Sequence, residues 1–359
     1  MKAAVWYGRR DIRIEEFPDP PPPRENEVKI RITWCGICGT DLEEYLYGPL
    51  YIPVAEPNPL TGRKAPMILG HEFVGTVVEV GPGVKEFKVG DVVTPDTLIH
   101  CGECYWCRRH QVHHCEKLAI LGLMTDGGFA EYVNAPTYMC FRLPPGVPQE
   151  VGALAEPTSV AIRANRLART SFGDTVAVIG AGTIGLLCLQ TALLSGASQV
   201  YVLEVESRRQ ELASRMGATK VFDPRVADPV EAIKDQTGGQ GVDVVLEAGG
   251  NAETIALAPK LVRKRGRVVL LTLHNEPVPI NFFPVVGNEI QLIGSFSHIY
   301  DEDFAAAVAL LGDGRVNAEP LITGRIGLDD IVEKGLEELI ANKAEHVKIL
   351  VTPDEANLG

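Results

Sequence analysis

The stretch Val176–Gly185, VAVIGAGTIG, joins an apolar run to a glycine-rich turn and the start of a helix. Gly180 permits a tight turn, Gly182 lets a pyrophosphate approach the backbone, and Gly185 allows the helix to pack closely on the strand. The amino terminus of the helix attracts phosphate charge. A lone G-x-G-x-x-G occurs often by chance, but this one has a strand–helix–strand context. We predict that it binds a dinucleotide through Gly180, Gly182, Thr183, Ile184 and Gly185.

A carboxylate closes the next predicted strand, VYVLE at 200–204. Glu204 lies about 20 residues beyond the glycine turn, where an acidic residue accepts hydrogen bonds from the adenosine ribose. Because a carboxylate would also repel a 2′-phosphate, the sequence favours NAD over NADP. The neighbouring Arg208 and Arg209 weaken this preference, since arginine can hold a 2′-phosphate, and we interpret Arg208 as an exposed helix charge.

Strands and helices alternate outward from this turn. Apolar runs at 242–247 and 266–272 follow those already described, with helical segments starting at Thr183 and Ser207. A helix over Val151–Ala168 is predicted to precede them. Such alternation is typical of a parallel sheet with helices on both faces.

The two ends of the chain have a different pattern. The first 160 residues contain short predicted strands, such as 11–17 and 27–34, separated by Gly and Pro. This pattern favours an irregular, barrel-like β-domain. Beyond residue 295 we predict helices near 301–311 and 329–342 and a strand at 346–351. We expect this tail to return to the first domain, so that the parallel-sheet domain is an insertion.

Composition excludes several classes of protein. The 359 residues include 34 Lys+Arg and 47 Asp+Glu, a formal charge of −13. An acidic chain lacks the basic footprint that phosphate contacts need, so no nucleic-acid partner is expected. No apolar run approaches the length of a membrane helix, and the N-terminus lacks a secretory signal pattern. We therefore expect a cytoplasmic protein whose eight cysteines are reduced thiols.

Four of the cysteines form the pattern C-x2-C-x2-C-x7-C. Two-residue gaps let successive thiolates turn toward one tetrahedral centre, which zinc accepts. An iron–sulfur cluster and four unrelated thiols are the alternatives. A closed set of four thiolates leaves no open coordination position, so this zinc is predicted to be structural. The ligands are Cys101, Cys104, Cys107 and Cys115. We interpret His110, His113 and His114 in the same loop as solvated, and Cys140 and Cys188 as small core residues.

A second, mixed-ligand metal site is suggested by GICGTD at 36–41 and GHE at 70–72. A cysteine, a histidine and carboxylates brought together by folding would leave room for water or substrate on zinc. Each of these short patterns is weak when taken alone.

Taken in order, these motifs resemble the zinc-dependent medium-chain alcohol dehydrogenases over essentially the whole chain. The similarity rests on GICGTD, GHE, the four-cysteine lobe, the pair Glu156–Pro157 and VIGAGTIG. It implies an α/β chain with a GroES-like irregular β-barrel catalytic domain (1–160 and 296–359), a structural zinc lobe at about 96–118, and an inserted Rossmann NAD-binding domain (161–295).

The branch of polyol and secondary-alcohol dehydrogenases is the most similar. WCGICGTDLEEYLYGPLYIP and APMILGHEFVG resemble the dehydrogenases of 2,3-butanediol, and those of sorbitol and threonine share the zinc layout. The resemblance implies NAD-linked oxidation of a secondary alcohol or vicinal diol to a ketone, two zinc ions per chain, and a homo-oligomer, with a tetramer favoured over a dimer.

The resemblance also implies site residues. It assigns the catalytic zinc to Cys38, His71 and Glu156, with Glu72 as an alternating or nearby ligand, and makes Cys35 a non-ligand. It places Thr40 at the alcohol oxygen. It further implies cofactor contacts for Lys348, at the pyrophosphate, and for Arg209, near the adenosine ribose.

One position departs from the pattern of the relatives. Many of them have CGTDLHEY, whereas this chain has CGTDLEEY, so Glu43 replaces a histidine that assists proton release. With a reference pKa of about 4.3, a free glutamate is a weaker base than histidine at neutral pH. Glu43 is therefore a candidate for the proton relay, with water as the alternative.

Two other classes of function are expected to differ in their metal motifs. An inactive NAD-binding protein would be expected to lack a zinc ligand, but Cys38, His71 and Glu156 are all present. A zinc-free reductase of the same fold would lack both zinc motifs.

Overall fold

The computed structural model describes residues 1–358, which contain strands, ten α-helices and short 3₁₀ and π-helical turns. The strands are β1 (Lys2–Gly8), β2 (Asp11–Glu16), β3 (Glu27–Gly36), β4 (Met67–Ile68), β5 (Glu72–Val80), β6 (Val92–Pro95), β7 (Leu98–Ile99), β8 (Ala119–Ile120), β9 (Tyr132–Pro136), β10 (Cys140–Arg142), β11 (Thr175–Ile179), β12 (Gln199–Leu203), β13 (Lys220–Phe222), β14 (Val242–Glu247), β15 (Val262–Leu270), β16 (Gln291–Gly294), β17 (Ile322–Gly327) and β18 (Lys348–Thr352).

The α-helices fall mostly in the second half of the chain. They are α1 (Gly39–Tyr47), α2 (Gln149–Gly152), α3 (Ala155–Ala168), α4 (Thr183–Leu194), α5 (Ser207–Arg215), α6 (Pro229–Gln236), α7 (Ala252–Leu261), α8 (Phe282–Gly287), α9 (Ala305–Gly312) and α10 (Glu338–Ala341). Among residues 1–358, none of the helices combines the length and the apolar character that crossing a bilayer requires.

The chain divides into two compact units. The first contains Met1–Glu156, Ile299–Asp313 and Leu321–Gly359, and the second contains Pro157–His298 and Gly314–Pro320. The predicted return of the tail after residue 295 is therefore interrupted at 314–320. Hydrogen bonds explain this, because Gln190 of α4 donates to the Asn317 carbonyl at 3.2 Å and accepts from the Asn317 amide at 2.8 Å.

The first unit is built mainly of β-sheet. Its largest sheet has the order β10-β6-β5-β3-β18-β17, and β9 also pairs with β3. β3 alternates buried and more exposed residues, with Val28, Ile30 and Ile32 pointing into the core. A three-stranded sheet, β2-β1-β4, and a β7–β8 pair complete the strands of this unit.

The second unit contains a six-stranded sheet in the order β13-β12-β11-β14-β15-β16. Every neighbouring pair is parallel. Its central strands are nearly continuous runs of buried apolar residues, as expected for a sheet with helices on both faces. The strand order is that of a doubly wound, Rossmann-type sheet, confirming the predicted fold class.

The glycine-rich turn links β11 to α4 at the carboxyl edge of this sheet. Gly180 has a φ of +89°, and a Cβ there would lie 2.8 Å from the Ala248 carbonyl oxygen. A Cβ at Gly185 would lie 1.9 Å from the Gly180 carbonyl oxygen. At both positions a side chain would collide with backbone, which cannot move without displacing the turn.

We expect Gly185→Ala to reduce the free energy of unfolding by about 1–3 kcal/mol, the usual cost of overpacking a close contact. Gly182→Ala is the matched control, because a Cβ at Gly182 meets no atom within 4 Å and its φ is −72°. Urea denaturation of both variants measures the difference. Equal midpoints for the two variants would contradict the packing argument.

Candidate metal and cofactor sites

Three possible metal donors meet in the first unit. One donor atom from each of Cys38, His71 and Glu72 lies within 4.8 Å of the others. Sheet register explains the meeting, because Gly36, two residues before Cys38, pairs with Glu72 across β3 and β5. A thiolate, an imidazole and a carboxylate form a donor set that zinc accepts.

Asp41, which sequence reasoning had not assigned, supports two of these donors. Its Oδ2 accepts a hydrogen bond from the Cys38 amide at 2.9 Å, and its Oδ1 lies 3.6 Å from His71 Nδ1. Both side chains are buried, and neither of the last two atoms has a hydrogen-bond partner. Burial alone would lower the pKa of His71, but the charges of Asp41 and Cys38 raise it well above its ordinary value. The surroundings therefore favour a cation.

The position of Lys348 differs from the one expected for a residue that contacts the cofactor pyrophosphate. Its Nζ lies 2.6 Å from Glu72 Oε2 and donates to the Ile37 carbonyl at 2.9 Å. The two charged side chains are only 3% and 1% exposed. The ammonium is thus occupied inside the first unit, and this placement argues against a direct phosphate contact.

Glu156 is not among the three donors that lie within 4.8 Å of one another. It lies in the first turn of α3, and the resemblance had implied both Glu156 and, as an alternating or nearby ligand, Glu72. The sequence alone could not rank the two carboxylates, since their distances from Cys38 depend on tertiary packing.

Thr40 and Glu43 lie on α1, which begins directly after Cys38. The Thr40 hydroxyl is 3.8 Å from the Cys38 sulfur. Glu43 follows one helical turn later, a spacing that puts both residues on the same helix face. Burial raises the pKa of Glu43 above its ordinary value, the neighbouring Glu44 raises it further, and Lys343 opposes them. Glu43 is therefore a stronger base than a solvated glutamate.

Glu44 is a second residue that sequence reasoning missed. It is fully buried, and its carboxylate accepts hydrogen bonds from the amides of Leu50, Tyr51 and Ile52. It thereby ties α1 to the following loop. Burial raises the pKa of Tyr51 above its ordinary value, and the charges of Glu43, Glu44 and Cys38 raise it further.

The four-cysteine lobe forms a second donor group. All four sulfur atoms lie within 4.8 Å of one another, with 3.4 Å between Cys104 and Cys107 and 3.9 Å between Cys101 and Cys107. Tetrahedral zinc with bonds of about 2.3 Å requires sulfur separations of about 3.8 Å, whereas a disulfide requires about 2.0 Å. All four are free thiols.

Backbone amides favour the thiolate form of Cys101 and Cys104, whereas burial raises the pKa of Cys107 and of Cys115. The Cys107 amide donates to the Cys104 sulfur at 3.5 Å, and the Cys101 amide donates to the Cys115 sulfur at 3.3 Å. The hydrogen bond from the Cys107 amide and one from Glu116 lower the pKa of Cys104 to about 6. Such a thiol is a ready metal ligand at neutral pH.

The histidines of the lobe are not all solvated, which corrects one prediction. His113 is only 1% exposed, and His110 Nε2 lies 2.7 Å from Asp301 Oδ1. The π-helical turn Tyr300–Phe304 supplies that aspartate. Pattern reading missed the pair because the two residues are far apart in the chain.

The glycine-rich turn and Glu204 lie at the carboxyl edge of the parallel sheet, directly after β11 and β12. Glu204 follows β12 directly and is buried. Its Oε2 accepts from the Ala181 amide at 2.7 Å, and its Oε1 accepts from the amides of Val205 and Glu206 at 2.7 and 2.9 Å. The carboxylate thus holds the glycine-rich turn and keeps its negative charge beside it. Arg209 lies on α5, three residues after Glu206 in the sequence.

Comparison with protein families gives two matches, one in the first unit and one that covers most strands of the parallel sheet. Residues 24–145 match the alcohol dehydrogenase GroES-like domain, and residues 183–313 match the zinc-binding dehydrogenase domain. The first range contains Cys38, His71, Glu72 and the cysteine lobe, and the second begins at Thr183 of the glycine-rich turn.

Individual relatives match along the whole chain. The (R,R)-butanediol dehydrogenase of Bacillus subtilis is 39% identical, covering 99% of this chain and 100% of the relative. The L-threonine 3-dehydrogenase of Pyrococcus horikoshii is 36% identical, covering 98% and 97%. The crystal structure of 2R,3R-butanediol dehydrogenase from Bacillus subtilis has a TM-score of 0.91 at 38% identity, covering 98% and 99%. This chain is therefore an oxidoreductase that belongs to the zinc-dependent medium-chain alcohol dehydrogenase family, whose members use NAD(P).

Proposed function

We propose that this enzyme oxidises a vicinal diol to a hydroxyketone with NAD, and catalyses the reverse reduction, with 2,3-butanediol and acetoin as the pair. The observation that supports alcohol chemistry is the cluster of the half-buried Cys38 with the buried His71 and Glu72, beside Thr40. The butanediol assignment is supported by the 39% identical relative over its full length.

We propose that zinc is held by Cys38, His71 and Glu156, with Glu72 taking the place of Glu156 in alternation. The unpartnered, buried Asp41 Oδ1 and His71 Nδ1 fit a ligand histidine oriented by a carboxylate. When bound, zinc supplies Lewis-acid stabilisation of negative charge on the alcohol oxygen. The ion pair with Lys348 leaves Glu72 only partly available as a zinc ligand, which supports a ligand role shared between Glu72 and Glu156.

Proton release is assigned to α1. Thr40 accepts the alcohol proton at its hydroxyl oxygen while passing its own proton onward. Glu43, one turn along, receives a proton at its carboxylate, and its raised pKa brings it nearer to the working range of a general base.

Cofactor binding is assigned to the glycine-rich turn. NAD bound here would supply the hydride acceptor, and Gly180, Gly182, Thr183, Ile184 and Gly185 would hold it. The buried Glu204 supports NAD rather than NADP, because its charge is held beside the turn by three amides. Arg209 is proposed to approach the adenosine ribose.

Four thiolates are proposed to hold a structural zinc, which gives two zinc ions per chain. Because these thiolates must stay reduced, a cytoplasmic location is proposed. The substrate is a small alcohol.

A homo-oligomer is supported by exposed apolar side chains in the second unit, and a tetramer rather than a dimer is proposed from the resemblance to the polyol dehydrogenases. Phe282, Phe283 and Val286 of α8 are 57%, 85% and 74% exposed, and they precede the edge strand β16. Exposed apolar groups beside an open strand edge are typical of a protein interface. Sedimentation of the purified protein measures the assembly size.

A substrate panel tests the proposed function. We expect NAD with a 2,3-butanediol stereoisomer to give the highest kcat/KM, above sorbitol, L-threonine and simple alcohols. Since Glu204 disfavours a 2′-phosphate, NADP should give a lower value with the same diol. The measurement is nicotinamide absorbance. A preference for sorbitol or threonine would support the alternative polyol or threonine 3-dehydrogenase activity, and no turnover with any alcohol would identify an inactive NAD-binding protein.

The two metal groups are expected to respond differently to substitution. Cys38→Ala should leave one zinc ion per chain and remove activity with little change in thermal midpoint. Cys104→Ala should also leave one ion but lower the midpoint by roughly 5–10 °C, the effect of losing about 2–3 kcal/mol. Elemental analysis and calorimetry measure both quantities. Cys188→Ala, a buried thiol outside both clusters, is the control and should keep two ions. Two ions in Cys104→Ala would exclude the structural site.

The pH profile tests Glu43. A base must be deprotonated, so kcat/KM should fall as the pH drops through the raised pKa of Glu43, above the range of an ordinary glutamate. Glu43→Gln should lower kcat at neutral pH by about 100-fold, a typical contribution of general-base catalysis. Glu43→His should restore activity and move the acid limb toward about pH 6.5. The exposed Glu333→Gln is the control. An unchanged profile in Glu43→Gln would assign the relay to water.

A further inference from the structure

An unassigned acidic residue lies beside the proposed ribose site. The strands β11, β12 and β13 are parallel neighbours, so their carboxyl ends share one edge of the sheet. Glu204 follows β12 and donates its amide to the Phe222 carbonyl, the last residue of β13, at 3.0 Å. Asp223 is the next residue. In sheets of this type the ligand occupies the crevice outside the carboxyl ends, so Asp223 flanks the position of the adenosine ribose.

Asp223 binds an arginine from its own loop. Arg225 Nε lies 3.0 Å from Asp223 Oδ1, and Arg225 Nη2 lies 2.8 Å from Oδ2, so the contact is bidentate. The Arg225 amide also donates to Oδ1 at 2.9 Å. The hydrogen bonds from Arg225 lower the pKa of Asp223 to about 2, so the pair stays ionised throughout the working range.

The same guanidinium also reaches the segment after Glu204. Arg225 Nη2 donates to the Val205 carbonyl, and the charges of Glu206 and Glu204 act on Arg225. Gln210 of α5 strengthens the arrangement by donating to the Glu204 carbonyl at 2.8 Å and by hydrogen bonding to Asp223. An arginine of the kind that recognises a 2′-phosphate is therefore present at the carboxyl edge of the sheet, but its Nε and Nη2 donors are turned toward Asp223 and Val205.

We propose that Asp223 is a positioning residue that selects NAD against NADP by holding Arg225 away from the 2′-phosphate position. The inference rests on the proposed binding of a dinucleotide at this edge. Arg225 is 60% exposed and its side chain is long, so it can turn to the ribose once released.

The test compares Asp223→Asn, Arg225→Gln and the double variant with the wild type. Dissociation constants of NADH and NADPH are measured by fluorescence, together with kcat/KM for NAD and NADP. Asp223→Asn should raise the ratio of NADPH to NADH affinity by about tenfold, the factor of one charge-assisted hydrogen bond. The double variant should lose that gain, because no arginine remains to bind the phosphate.

Glu289→Gln is the matched control, because it also breaks an ion pair with an arginine, the 3.3 Å contact with Arg265. Glu289 lies just before β16, the strand at the other end of the sheet from β13. It should leave the ratio unchanged. An equal gain in Asp223→Asn and in the double variant would overturn the proposal, because charge removal alone would then explain it. An unchanged ratio of NADPH to NADH affinity in Asp223→Asn would overturn it as well. Equal losses of NADH and NADPH affinity in Arg225→Gln would also overturn it, because they would indicate that Arg225 stacks on the adenine. Because binding is measured without alcohol, failure of the diol activity is distinguished from failure of this inference.

Discussion

The buried ion pair between Lys348 and Glu72 connects the parts of the first unit that hold the metal donors. Lys348 begins β18, Glu72 begins β5, and the same ammonium binds the carbonyl of Ile37, next to Cys38. Loss of one partner of such a pair leaves an uncompensated buried charge and typically costs about 3–5 kcal/mol. The positions of donors near the start of the chain therefore depend on a strand near its end.

Buried carboxylates organise both sites in a similar way. Three buried carboxylates accept hydrogen bonds from backbone amides of the loops beside them. Glu44 accepts from Leu50, Tyr51 and Ile52, and Glu204 accepts from Ala181, Val205 and Glu206. Glu247 accepts from Gly249 and Gly250. Hydrogen bonds to an ionised acceptor are stronger than neutral ones, so each carboxylate fixes a loop that would otherwise have several conformations. Part of the acidic excess of this chain thus lies inside the protein and shapes its loops.

Much of the fold could be predicted because the hydrophobic pattern is local. The strands Asp11–Glu16, Glu27–Gly36 and Val242–Glu247 agree with their predicted positions within two residues. The strand Lys2–Gly8 was not predicted, because four consecutive residues in it are buried and the sequence therefore does not alternate between polar and apolar residues. The predicted helix over 151–168 is divided at Ala153–Leu154. Pro157 explains the division, because it has no amide to continue a helix that begins before residue 155.

The cysteine lobe and the glycine-rich turn could be recognised from the sequence alone, since short-range chain geometry brings together residues that are so close in the chain. Tertiary folding, in contrast, brings Glu72 to Cys38 and His71, places Lys348 against Glu72, and turns Arg225 toward Asp223 and Val205. These contacts depend on the register of paired strands and on which charges are removed together from water. Neither quantity is visible in a local pattern, because each is set by residues from distant parts of the chain.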